Sequence, residues 1–170
     1  MDQVKIAFVG TGFAARIHAE AYKQIPNAKI EITGVSSRNK DGAKKFCDEF
    51  KIDTQLINTD TIDMINSVNA DIIDIVTPTH THSLYAKEAA KAGKHVLCEK
   101  PMALNVTECE AMIEAAEANG VVLQIGYMLR FHPDHQLIAD ADRPLDRLQD
   151  LAVFRVLLDP ERLFQRQRRS

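Results

Sequence analysis

The 170-residue sequence lacks the features that tie a chain to a membrane or to nucleic acid. No apolar run approaches the roughly 20 residues of a membrane span. The start, Met1-Asp2-Gln3-Val4-Lys5, lacks the basic-then-apolar layout of a signal peptide. There is no basic surplus either: 21 Lys and Arg against 24 Asp and Glu give a formal net charge of −3. Nucleic acid and anionic membrane surfaces both call for a basic face, so neither is expected as a partner. Cysteine is scarce, and Cys47, Cys98 and Cys109 form an odd set without metal-type spacing. That fits free thiols in a reducing cytoplasm, which is the expected location. A chain of this length buries roughly two-thirds of its unfolded surface and needs no disulfide or metal staple. A two-domain enzyme of ordinary size does not fit within it.

Glycine and lysine both run out before the end. All seven glycines lie at or before Gly126 and all eleven lysines at or before Lys100, whereas seven of the ten arginines fall in the last 28 residues. The expected division is a domain over residues 3–135, followed by 136–170 as the truncated start of a further domain or a non-native tail. Within that stretch Leu151 to Leu158 reads as a strand without a visible partner, an apolar edge suited to association.

What is present, up to about Ile125, alternates short apolar runs with helical periodicity. Val4 to Val9 is nearly continuous in apolar residues, as a strand buried on both faces should be. Ala14, Ile17, His18, Ala21, Tyr22 and Ile25 follow at helical spacing and predict a buried stripe. A second strand runs from about Ile30 to Ser36. The next helix places Ala43, Phe46, Cys47 and Phe50 on one face, with Lys44, Lys45, Asp48 and Glu49 outside. Asp60 can cap a short helix carrying Met64, Ile65 and Val68. A fourth strand, Ile72 to Val76, stops at Thr77-Pro78. A helix from about Thr81 ends at Gly93, and the fifth strand is His95 to Cys98. Asn105 with Glu108 reads as a capping box, opening a helix that buries Cys109, Met112, Ile113 and Ala116. Asn119-Gly120 stops it, and Val121 to Ile125 is the sixth strand. Six strands joined by crossover helices predict an α/β fold, a doubly wound parallel sheet of the Rossmann type.

Gly10-Thr11-Gly12-Phe13-Ala14-Ala15 matches G-x-G-x-x-A between the first strand and the first helix, the context that gives the pattern a mechanism. Gly10 permits the tight turn, Gly12 lets backbone N–H groups approach a pyrophosphate, and Ala15 keeps the helix close to the sheet. An NAD site usually carries Asp or Glu at the end of the second strand. Here that strand ends Ser36-Ser37-Arg38-Asn39-Lys40, and no carboxylate appears until Asp41. Hydroxyls and a guanidinium suit a ribose 2′-phosphate, so NADP is expected in preference to NAD. The other account of Arg38 is a solvated side chain on a polar loop. Strands four and five deliver Thr77-Pro78-Thr79-His80-Thr81-His82 and Cys98-Glu99-Lys100-Pro101 to the expected ligand crevice. His80 and His82 are badly spaced for a metal and read as capping or packing residues, with His82 within reach of cofactor.

Residues 93–101, Gly-Lys-His-Val-Leu-Cys-Glu-Lys-Pro, resemble the signature of the Gfo/Idh/MocA family of oxidoreductases. The glycine motif, Thr77-Pro78 with His82, and Gly126-Tyr127-Met128-Leu129-Arg130-Phe131-His132-Pro133 match in order. The resemblance covers about residues 3–135. It implies hydride transfer between a nicotinamide and a sugar or polyol hydroxyl carbon, with Lys100 as the catalytic lysine. An ammonium there can stabilise a developing alkoxide and take part in proton transfer. Burial near a cofactor would bring its pKa towards the working range. Taken together, the residue readings and the resemblance give the expected cofactor contacts as Gly10, Thr11, Gly12, Phe13, Ala14, Ser36, Ser37, Arg38, Thr77, Pro78, His82, Glu99, Lys100 and Arg130. In the family a second domain supplies the substrate pocket and a histidine partner, and no histidine follows His135 here. Three accounts of the chain stay open: the NAD(P)-binding half of a dehydrogenase, a stand-alone NADP(H)-sensing module, and a subunit completed by a separate chain.

Overall fold

In the computed structural model, which describes residues 3–26 and 28–134, the first apolar run forms strand β1 (Gln3–Val9). Its side chains alternate between two cores: Ala7 and Val9 enter one, and Phe8 enters the other. A strand feeding both faces has no polar side to present to water, which is why the run is continuous. The chain then runs through α1 (Phe13–Tyr22), β2 (Lys29–Ser36), α2 (Lys40–Phe50), β3 (Ile57–Asn58) and α3 (Thr61–Ser67). It returns through β4 (Ile72–Ile75), α4 (His82–Lys91), β5 (His95–Cys98), α5 (Val106–Asn119) and β6 (Leu123–Ile125). All five strand pairings are parallel, in the order β3-β2-β1-β4-β5-β6. This is the Rossmann-type α/β fold that the alternating pattern predicts. The structure divides at Ile125/Gly126 into two compact units; in the second, the described residues include a 3₁₀ turn, Met128–Phe131. The Leu151–Leu158 run lies outside the described residues.

Local sequence fixes several boundaries. Asn39 Oδ1 accepts from Gly42 N–H and opens α2, Asp60 Oδ1 accepts from Asp63 N–H and opens α3, and Asn105 Oδ1 accepts from Glu108 N–H and opens α5. Glu108 reaches back to the N–H of Leu104, one residue earlier than a capping box requires. Gly120 closes α5 in the left-handed conformation. One expected face is displaced. In α1 the buried residues are Ala15 and Ala19, while Ile17 and Ile25 are each over 40% exposed. The helix turns its small residues to the sheet for close approach and points His18 and Tyr22 towards a polar group in β4.

The core beneath α1 and α2 is aromatic. Phe8 is wholly buried, with Phe46 at 5.3 Å in an edge-on arrangement and Tyr22 at 5.9 Å between ring centroids. Phe8→Ala is expected to lower the unfolding free energy by about 3–5 kcal/mol, read from urea denaturation. A loss under about 1 kcal/mol would mean that this layer is not close-packed.

Candidate functional site

Strand register assembles one edge of the sheet. Val9 lies opposite both Ser36 and Ile75, and Ile75 lies opposite Cys98. The residues that follow, Gly10, Ser37, Val76 and Glu99, therefore leave the sheet side by side. The ladder runs one step further: Gly10 N–H donates to Ser36 O, Val76 N–H to Val9 O, and Glu99 N–H to Ile75 O, all within 2.9 Å. Ligands of doubly wound sheets sit outside this carboxyl edge, where the strand order reverses about β1.

The two glycines of the turn answer to different constraints. Gly10 has φ +106°, and a Cβ there would stand 2.7 Å from Val76 O, so both conformation and packing demand glycine. Gly12 has φ −78°, and a Cβ there would meet nothing within 4 Å. Neither the fold nor the backbone needs glycine at that position. Helix α1 also opens without a side-chain cap and without an acidic residue in its first turn. Helices α2, α3 and α5 are capped, and α4 continues directly from the 3₁₀ turn Thr79–Thr81. The first N–H groups of α1 thus form an open anion site with the helix dipole behind them. Arg16, which sequence reasoning missed, braces the turn: Nη1 donates to Thr11 O and Gly12 O, and Nε donates to Glu49 of α2 at 2.9 Å. Its guanidinium also lies over the Phe46 ring. Phe13 is 80% exposed and Ala14 half-buried.

At the end of β2 the three expected residues separate. The Ser36 hydroxyl is buried and paired with Thr61 Oγ1 at 2.7 Å, so it serves the frame. Ser37 Oγ accepts from Thr11 Oγ1 and from Asn39 N–H, which ties the β2 loop to the glycine turn. Arg38 is exposed and forms no ion pair among the described residues.

The ends of β4 and β5 are joined by His82. Its ring is 1% exposed, with Nε2 at 2.7 Å from Thr77 O and Nδ1 at 2.9 Å from Pro101 O. That is the packing role the sequence suggests, performed between two loops. Thr77 Oγ1 pairs with Thr81 Oγ1, and Pro78 and His80 are exposed. The Lys100–Pro101 peptide is cis, and the Lys100 side chain is exposed. Lys100 N–H donates to Glu99 Oε2 at 3.0 Å. Arg130 lies in the second unit, on the Met128–Phe131 turn.

Behind Glu99 lies a cluster that sequence reasoning did not find. Asp74, in the middle of β4, is wholly buried. It accepts from His18 Nδ1 at 2.9 Å and from Tyr22 OH at 2.6 Å. His18 Nε2 faces Glu99 Oε1 at 3.2 Å. The signal was a lone acid inside an apolar strand, Ile72-Ile73-Asp74-Ile75, since a buried carboxylate needs partners. Burial alone would lower the His18 pKa, but hydrogen bonds to and charges of Asp74 and Glu99 outweigh it and raise the value above 6.5. Burial and the Asp74 charge likewise push the Tyr22 phenol upwards, and burial does the same for the Cys98 thiol.

A raised histidine value stabilises the fold fully below the unfolded value of about 6.5, and that contribution is lost as pH rises through the folded value. The melting temperature is therefore expected to fall between about pH 6 and pH 8, and to fall less in His18→Asn. Parallel profiles for the two proteins would show that His18 holds no extra proton in the native state.

Similarity to known proteins agrees with this layout. Residues 4–127 match the family model of an oxidoreductase family with an NAD-binding Rossmann fold, Gfo/Idh/MocA. The scyllo-inositol 2-dehydrogenase (NAD(+)) of Bacillus subtilis is 32% identical over 145 residues, which are 85% of this chain and 40% of that protein. The solved UDP-N-acetylglucosamine 3-dehydrogenase of Acidithiobacillus ferrooxidans superposes with a TM-score of 0.70 at 32% identity, covering 84% of this chain and 42% of that one. The WlbA dehydrogenase of Bordetella pertussis, solved with NADH and UDP-GlcNAcA, gives 0.75 at 26% identity over 82% and 42%. The chain spans about two-fifths of the length of the curated relatives it matches. By the match over residues 4–127, the chain belongs to the Gfo/Idh/MocA oxidoreductase family and carries its NAD-binding Rossmann domain.

Proposed function

We propose that the chain binds a nicotinamide dinucleotide along the carboxyl edge of the sheet. It would thereby form the cofactor half of an oxidoreductase that moves a hydride to or from a sugar or polyol hydroxyl carbon. The observation that carries this is Gly12, where glycine is required by neither backbone nor packing, beside a helix N-terminus with no cap. Open space over exposed N–H donors suits a pyrophosphate, so the residues present fit the group. The names of relatives that act on inositols and UDP-linked sugars support the substrate class.

The roles follow from chemistry. The N–H groups at Phe13 and Ala14 would hold the pyrophosphate, with Arg16 turning the Thr11 and Gly12 carbonyls away from it. Ser37 and Arg38 would take the adenosine ribose, and the guanidinium fork favours a 2′-phosphate, hence NADP over NAD. Thr77, Pro78, Glu99 and Lys100 would border the nicotinamide. Bound there, the nicotinamide supplies a hydride acceptor or donor. Lys100 would donate a hydrogen bond to the substrate oxygen and hold its proton as the C–H bond changes. In this proposal residues 3–135 form the cofactor domain. The 170-residue polypeptide by itself then binds cofactor with little turnover.

Calorimetric titration with NADPH and NADH tests the cofactor claim. Gly12→Ala is expected to weaken binding at least about tenfold while leaving stability within about 0.5 kcal/mol, because its methyl group fills ligand space. Binding of neither dinucleotide at millimolar concentration would remove the proposal. Arg38→Ala should cost NADPH about 10- to 100-fold, the worth of a charge-assisted phosphate contact, and NADH little. Much tighter NADH than NADPH binding by the unmodified chain would overturn the NADP preference alone.

A further inference from the structure

We propose that His18 is a positioning residue for Lys100: its imidazolium bridges Asp74 and Glu99, and the proton it holds fixes the Glu99 carboxylate against the Lys100 backbone. This rests on the placement of Lys100 at the reacting centre and extends it to a residue on a different element. The links are continuous. Asp74 on β4 accepts from His18 Nδ1 at 2.9 Å, His18 Nε2 meets Glu99 Oε1 at 3.2 Å, and Glu99 Oε2 accepts from Lys100 N–H at 3.0 Å. The side chains of His18, Asp74 and Glu99 are 16%, 0% and 14% exposed, so the chain of contacts lies mostly out of water.

The hydrogen-bond inventory dictates where the protons stand. Asp74 is an acceptor and already receives the Tyr22 hydroxyl, so His18 must present N–H from Nδ1. A ring carrying only that proton offers a lone pair at Nε2, facing the lone pairs of Glu99 Oε1. A second proton converts this repulsion into a charge-assisted hydrogen bond. Among the described residues, the charged and titratable groups facing His18 are Asp74 from β4, Glu99 from the end of β5, and Tyr22 one turn along α1. Cys98 lies close to both carboxylates and is held neutral by burial. With two carboxylates and no other cation facing the ring among the described residues, the arrangement favours the doubly protonated ring. When that proton leaves, Glu99 loses its anchor on one oxygen and the Lys100 N–H loses a fixed acceptor on the other. The backbone from which the Lys100 side chain projects is then free to turn.

NMR on the uniformly labelled 170-residue chain tests this without turnover. Over about pH 5.5 to pH 8.5, the His18 ring and the Lys100 amide are expected to titrate with one midpoint. Glu99→Gln should lower the His18 midpoint by about one pH unit or more, since it removes one of two charged partners. His18→Asn should abolish the titration of the Lys100 amide. If His18→Asn does not fold, the Glu99→Gln midpoint decides alone. A Lys100 amide that stays flat while His18 titrates, or an unchanged His18 midpoint in Glu99→Gln, overturns the positioning role. Adding NADH to the same samples separates the two proposals. Coupled titration without a response to NADH, or to NADPH added in the same way, sinks the cofactor site and supports the positioning chain. An NADH response at Lys100 with uncoupled titration does the reverse.

Discussion

A carboxylate with no exposure sits in the central region of the sheet, and the placement of α1 depends on satisfying it. An ionised carboxyl group buried without partners costs several kcal/mol or more, so the fold must bring donors to Asp74. Both come from α1: His18 and Tyr22, one turn apart on the same helical face. Ala15 and Ala19 let the helix approach closely enough for those side chains to reach β4. On the flank facing α2, Arg16 ties the first turn to Glu49 and lies over Phe46. Held from both sides, α1 has little freedom to tilt, and its N-terminus stays aimed at the carboxyl edge of the sheet. The candidate anion site therefore inherits its geometry from a buried charge on β4, which α1 meets through His18, five residues after its start.

Two histidines organise that edge in the same manner. His82 joins the backbone carbonyls that follow β4 and β5, and His18 joins β4 to the acid that precedes Lys100. Parallel strands need long crossovers, so the loops at the carboxyl edge are far apart in sequence and no short turn holds them together. Side chains with two polar atoms at opposite ends of a rigid ring supply the missing cross-links. Lys100 itself stays exposed, with its backbone N–H tied to Glu99.

Elements set by local chemistry were legible in the sequence. The continuous apolar β1, the i, i+3, i+4, i+7 face of α2 and the caps at Asp60 and Asn105 all depend on neighbours within a few residues. The buried face of α1 was legible only in part: His18 and Tyr22 were placed on it, but Ile17 and Ile25 are exposed, and the polar group that holds His18 and Tyr22 lies 52 to 56 residues away. Strand β3 has two residues, too few for any alternation to show. In the candidate site the glycine turn and the Glu99-Lys100-Pro101 step could be read directly, since backbone conformation and motif order carry them. Ser36 could not be told from Ser37: adjacent strand residues point to opposite faces, and only the position of Thr61 shows which hydroxyl is used internally. Arg16 gave no signal in the sequence, because the groups it meets are backbone carbonyls of the preceding loop.

Charge explains why the network is built with an imidazolium rather than with a neutral donor. The His18 ring lies five residues, about 8 Å of helix rise, from the start of α1. Through partly buried protein that distance is poorly screened. Asp74 and Glu99 without His18 would present two negative charges behind a helix end that suits an anion, opposing its dipole. A protonated ring between them leaves one. A neutral side chain such as glutamine could bridge both carboxylates with its amide but would leave the repulsion intact. The requirement is therefore for a donor that also carries charge, is short enough to fit beneath α1 and is rigid enough to hold two acids apart. Lysine has the charge without the rigidity, and arginine is too long for a ring-sized gap; histidine meets all three conditions.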